Sequence, residues 1–251
     1  VKEESDVRKY FADNTISKRL ASRIWNFIGR HNLMKRHRLR LDEVEVFHLI
    51  PKSLIAEMKY ETFVPYLKTH PIFRRYATWE PMTMQKLCAT AIEQAVVRPT
   101  EEIFHGMEGM VKSMLFVIGG TMEYQPQGEN ELVLSIKAGM WACEEILWAT
   151  NAILSGSVVG GPLGADILYL NAHGFQEVTR KFAKCMRYLM SYAEAFISAF
   201  NEASDDDTCT DLLFNDPLYI EWMAERAEIS METKASNGKS KSQRVQRDVP
   251  A

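Results

Sequence analysis

The sequence predicts an α+β chain: a helical leading third, then an antiparallel β-roll of jelly-roll-like character, closed by C-terminal helices. Three observations carry this. Apolar residues recur at helical spacing through the first third. From Ala95 that rhythm gives way to short β-rich runs separated by Gly, Pro and polar residues. After Phe175 a clean helical stripe returns.

Each element has a local reason. In "SKRLASRIWNFIGRHN", Leu20, Ile24, Phe27 and Ile28 fall on one face, with Lys and Arg opposite. In the following "LMKRHRLRLDEVEVFHLIPKSLIAEMKYETFVPYLKTHPIFRRY", Pro51 and Pro71 divide the chain into short helices. Proline removes a helical donor and biases the residue before it away from helix. A helix is predicted over 81–92, where Met84, Leu87, Cys88 and Ala91 share a face and Pro81 suits the first turn.

The runs "AVVRPTEEIF", "SMLFVIGGTMEY", "ELVLSIKAGMW" and "ADILYLNAHGF" read as strands, with "GGPLGAD" as a hairpin connection. Phe182, Cys185, Met186, Leu189, Ala193, Phe196, Ile197 and Phe200 then trace a long amphipathic helix. Met186, Leu189 and Phe196 are assigned to its core face. "ASDDDTCT" ends it, and "KASNGKSKSQRVQRDVPA" reads as a disordered tail. The predicted divisions are a helical segment over 1–78, the roll with flanking helices over 79–203, and an acidic loop, short helix and basic tail over 204–251.

The 251 residues carry a net charge of −3, but residues 1–40 hold eleven Lys/Arg against four Asp/Glu. A basic leading end on an acidic body suits an anionic membrane face, an acidic neighbouring subunit, or simple solvation. Arg30, Lys35, Arg36, Arg38 and Arg40 supply much of that charge, and no aromatics lie among them for nucleic-acid stacking. No apolar run approaches the roughly 20 residues that span a bilayer. The chain opens on Val1 and is expected to be a piece of something longer.

Cys88, Cys143, Cys185 and Cys209 are widely spaced, so zinc is not expected and reduced thiols are. The six histidines (31, 37, 48, 70, 105 and 173) show no spacing with a nucleophile and a carboxylate that suggests an enzyme. His48 reads as structural. No GxGxxG, P-loop or HExxH is present.

Five pieces in order resemble the cytoplasmic tail of cyclic-nucleotide-gated, hyperpolarisation-activated and EAG-type channels, over roughly residues 5–203. "VRKYFADNTISKRLASRIWNFIGRH" is similar to the first helices of that family's helical linker, with Ile16-Ser17 where Leu-Pro is common. "VFHLIPKSLIAEM" resembles its "LP..L..EI" helix pair, and "YLKTHPIF" the segment closing on "P-L-F". "EEIFHGMEGMVKSMLFVIGGTMEY" resembles the opening strands of its cyclic-nucleotide-binding roll, with Met114 to Phe116 and Gly120 on the motif. "ADILYLNAHGF" resembles the strand before the last two helices.

The resemblance puts "AGMWACEEILW" (138–148) at the phosphate-binding cassette, "G-D-x-F-G-E-[LI]-[AS]-L" followed by an arginine. There a glycine admits backbone N–H groups to the ligand, the glutamate takes the ribose 2′-OH, and the arginine pairs with the cyclic phosphate. Carried over, Gly139 is the turn glycine, Trp141 lies near the aromatic position beside Ala142, and Glu144 is the glutamate. Cys143 stands where the close-approach glycine belongs. Ser155, with Gly156 and Ser157, falls where the arginine belongs, and no Arg or Lys occurs between Lys137 and Arg180. Losing a charge-assisted pair of about 1.5–3 kcal/mol weakens cAMP or cGMP binding by roughly ten- to a hundred-fold.

The resemblance therefore implies a non-enzymatic regulatory and assembly region of a tetrameric cation channel, potassium-selective or mixed. It would lie on the cytoplasmic side, assembling as a homo- or heterotetramer through the linker, with a degenerate cassette. A soluble cyclic-nucleotide-binding regulatory protein is the alternative. "TDLLFNDPLYIEW" (210–222) either fills the pocket, as a segment after the last helix does in EAG-type channels, or forms a helix packed on the roll.

Overall fold

The computed structural model describes residues 2–30, 39–104, 111–126, 133–149, 156–181, 183–205 and 218–230. It divides into two compact units, Val1–Glu45 and Val46–Ala251.

In the first unit, α1 (Lys2–Asp13) and α2 (Lys18–Arg30) are joined through Thr15, a non-glycine residue at φ 51°. Phe11 meets Trp25 edge-on at 6.0 Å, and the Arg8 guanidinium lies over the same indole. The apolar stripe of α2 is only half covered: Leu20 is 43% and Phe27 56% exposed.

The second unit combines helices with a six-stranded antiparallel sheet. α3 (Lys52–Leu67) follows Pro51, and α4 (Pro71–Trp79) and α5 (Pro81–Thr90) each start on a proline, which needs no helical N–H partner there. The strands are β1 (Ile92–Val97), β2 (Glu102–Phe104), β3 (Ser113–Pro126), β4 (Leu134–Lys137), β5 (Trp141–Ala142) and β6 (Gly156–Asn171). They order as β1-β6-β3-β4, with β2 also on β6 and β5 also on β3. Between β5 and β6 lies the single turn α6 (Glu145–Trp148). After β6 come α7 (Ala172–Thr179), capped by Asn171 Oδ1 accepting from the Gly174 N–H, then α8 (Ala183–Asp205) and a helix over 218–230, here α9.

Side-chain alternation along β3 and β6 gives the sheet a core on each face. Met114, Phe116, Leu168 and Leu170 pack with Phe63, Leu67, Ile72, Phe73, Leu87, Tyr192 and Phe196 from the helices. Leu115, Val117 and Ile167 point the other way, to Met122, Tyr124, Ile136, Cys143, Ile146 and Val158.

Two expectations need correction. "GGPLGAD" is not a hairpin connection but the interior of β6, a single 16-residue strand. Its partner β3 runs 14 residues, and the two stay paired from Ser113↔Asn171 to Pro126↔Gly156. The glycines bend this ladder rather than end it. Register shifts fall at Val117/Gly119 and Gly120/Met122, and Gly120 and Gly164 take φ 72° and 69° where a side chain would strike neighbouring backbone. The compact units divide near residue 45, and α3 and α4 share the helical core on one face of the sheet. His48, expected to pack, is exposed in a 3₁₀ turn (Glu45–Leu49).

Candidate functional site

Residues 138–149 make a tight entry into α6. Gly139 turns at φ 91°, and its N–H donates to the Val117 carbonyl at 2.8 Å, so this donor serves the sheet. Trp141 and Ala142 pair with Phe116 and Leu115 as β5, both buried. Cys143 sits at φ 62°, a left-handed conformation that a glycine adopts freely and a side chain adopts at a cost. Its side chain is 1% exposed and packs in the core with Ile146.

That turn delivers Glu144 into the interior, where its side chain is 5% exposed. A buried carboxylate requires donors, and three residues from distant elements supply them. His70 Nε2 donates to Oε2 at 2.9 Å, the Tyr192 hydroxyl to Oε1 at 2.8 Å, and the Trp148 indole N–H to Oε1 at 3.3 Å. His70 is the N-cap of α4: its Nδ1 accepts from the Ile72 N–H at 3.2 Å, which leaves Nε2 to carry the proton toward Glu144. The imidazole is wholly buried, with ring centroids of Trp141 at 4.4 Å and Phe73 at 5.4 Å. Burial, followed by the nearby Glu144 charge and hydrogen bond, pushes the Tyr192 phenol well above its ordinary value, so it remains a donor. One carboxylate thereby joins the start of α4, the turn after β5, and the middle of α8.

The structure brings Trp141, Ala142, Cys143 and Glu144 together, and Gly156 and Ser157 open β6. Gly156 meets the Tyr124 ring, and Ser157 is buried opposite Gln125. Ser155 lies outside the described residues, as does the 210–217 part of the segment proposed to fill the pocket. Residues 218–222 begin α9, whose Ile220, Met223, Ala224 and Ala227 enter the helical core. Arg75 fastens α9 to α4, with Nη2 on Glu221 at 2.7 Å and Nε on Glu228 at 3.0 Å, and Arg74 also reaches Glu221. Burial works to raise the Glu221 carboxyl, but hydrogen bonds and charge from Arg75 and Arg74 outweigh it and hold it below the usual range.

Sequence reasoning missed His70 and Tyr192. The available signal for His70 was "THPIF", a histidine directly before a helix-opening proline and two apolar residues, where a side chain caps the helix and is carried inward. Of the five cations expected to meet lipid, Lys35, Arg36 and Arg38 lie outside the described residues, and the Arg30 side chain is not described. Arg40 pairs with Asp42 and Glu43. Among the described residues no group of three His, Cys, Asp or Glu is placed to hold a metal, and no helix is long and apolar enough to cross a membrane.

The fold and site together define an α+β chain with a buried, fully donor-satisfied carboxylate linking three helical elements to its sheet. No protein-family model matches the chain, and no curated protein matches it.

Proposed function

We propose that this chain is the regulatory and assembly region of a tetrameric cation channel, potassium-selective or mixed, lying on the cytoplasmic side of the membrane in the full-length protein. The observation that carries the mechanism is the environment of Glu144. In the cassette reading this carboxylate would take a ribose hydroxyl, yet His70, Trp148 and Tyr192 already occupy both of its oxygens. A cyclic nucleotide would have to displace internal donors, with no Arg or Lys between Lys137 and Arg180 to pair with its phosphate.

The cassette then works as a mechanical joint. A shift of α8 that moves Tyr192 perturbs Glu144, and through His70 the start of α4, which the resemblance connects to the pore. Any ligand or partner biases this joint only by its differential affinity for two arrangements. The half-exposed stripe of α2, with Leu20 43% and Phe27 56% exposed, supports an assembly role.

The test is calorimetric titration of the purified chain with cAMP and cGMP to millimolar concentration, with light scattering on the same sample. No saturable heat and a tetramer are expected. Saturable heat that disappears in Glu144→Gln would overturn the self-occupied cassette, and a monomer at all concentrations would overturn the assembly role.

A further inference from the structure

A groove of about 240 Å³ lies where α6, α7 and α8 meet, sharing Trp148 with the Glu144 hydrogen-bond network. Leu147, Trp148, Phe175, Leu189 and Met190 form its apolar part, and Arg180 lies among its lining residues at the end of α7. The walls are held in place. Leu147, Phe175 and Leu189 are buried, and Trp148 packs edge-on against Phe175 at 5.7 Å. Trp148 is also tied to Glu144 through its indole N–H. Arg180 is exposed and, among the described residues, makes no ion pair.

An apolar, aromatic-walled groove beside an exposed guanidinium has a definite complement. Arginine presents a planar fork of donors that matches a carboxylate, while the ring edges and the Met190 thioether favour an apolar tail. The volume is roughly eight times the ~30 Å³ that a water molecule occupies in the liquid, room for about ten non-hydrogen atoms. We infer that this groove binds a small hydrophobic carboxylate, with its tail between Trp148, Phe175 and Leu189 and its carboxylate on Arg180. Such a ligand would wedge α8 against α6 one turn from Tyr192, and would be sensed at Trp148. The inference rests on the groove alone and holds whether or not the chain belongs to a channel.

The experiment is calorimetric titration of the full chain with 4-phenylbutyrate, repeated with the uncharged 4-phenylbutan-1-ol and followed in parallel by tryptophan fluorescence. Saturable one-to-one binding of the acid is expected, weakened at least ten-fold in Arg180→Gln and by a similar factor for the alcohol on the unmodified chain. Met190→Trp, which fills the groove from its exposed side, should weaken binding at least ten-fold, with circular dichroism showing an unchanged fold. Absence of saturable binding, or wild-type affinity in either variant, overturns the proposal. Neither outcome bears on the nucleotide titration, so this inference and the channel reading fail separately.

Discussion

Replacing Glu144 by Ala removes the acceptor from two good hydrogen bonds and one long one while leaving their donors buried. A hydrogen bond to a charged group contributes about 1.5–3 kcal/mol, and an orphaned buried donor costs about 1–3 kcal/mol. The 2.8 and 2.9 Å bonds dominate, and part of the gain is offset by the cost of burying the carboxylate itself. The expected loss is about 3–5 kcal/mol, a large share of the 5–15 kcal/mol that holds a typical domain together. Glu144→Gln keeps one acceptor oxygen but turns an amide N–H₂ toward either His70 or Tyr192, so about 1.5–3 kcal/mol is expected. Tyr192→Phe removes one donor and should cost about 1–2 kcal/mol. Urea unfolding followed by tryptophan fluorescence and far-ultraviolet circular dichroism measures all three. The decisive number is the double variant: Glu144→Gln with Tyr192→Phe should cost less than the sum of the singles by about 1 kcal/mol or more, because the two share one interaction. Strict additivity, or an alanine variant within 1 kcal/mol of wild type, would refute the joint.

Three further outcomes are expected. Cys143 at φ 62° should accept Gly with a change of within about 1 kcal/mol, relief of the backbone offsetting the lost thiol. By contrast Cys143→Val, close to it in size but β-branched, should cost about 2 kcal/mol more than Gly in the same denaturation assay. The Glu221 carboxyl has a folded value below its unfolded one, so the ion pairs of α9 stabilise above about pH 4 and are lost as pH falls through the lower folded value. Arg75→Ala should flatten that acid limb of the stability curve and cost about 1–3 kcal/mol at neutral pH, read by melts across pH 3–7. Burial pushes the Cys88 thiol up to about 12, so it should resist iodoacetamide at pH 8 and react only when urea unfolds the chain, which peptide mass mapping resolves.

Much of the fold is legible locally, and each success has a short-range cause. The Pro81 start and the face of Met84, Leu87 and Cys88 predict α5, observed over Pro81–Thr90. The stripe from Phe182 predicts α8, observed over Ala183–Asp205. In both, the apolar period and the end signals lie within a few turns. The strands were harder because glycine carries two meanings. In "GGPLGAD" it reads as a break, whereas in the folded chain Gly120 and Gly164 let two long strands bend together without separating. Only the pairing partner distinguishes these, and the paired residues lie up to 58 positions apart.

The sequence by itself determined the order of helix, sheet and helix, the turn at Gly139, and the presence of an acid at position 144. The absence of a nearby cation is also written in it, whereas the left-handed turn at Cys143 is not. What Glu144 does was decided by tertiary structure alone. Its partners are 74 and 48 residues away, on helices whose local patterns place a histidine at a cap and a tyrosine in a core stripe without naming what they meet. Side-chain periodicity specifies which face turns inward. The identity of the group met there depends on how whole elements pack, and burial then requires that a carboxylate arriving without solvent find donors.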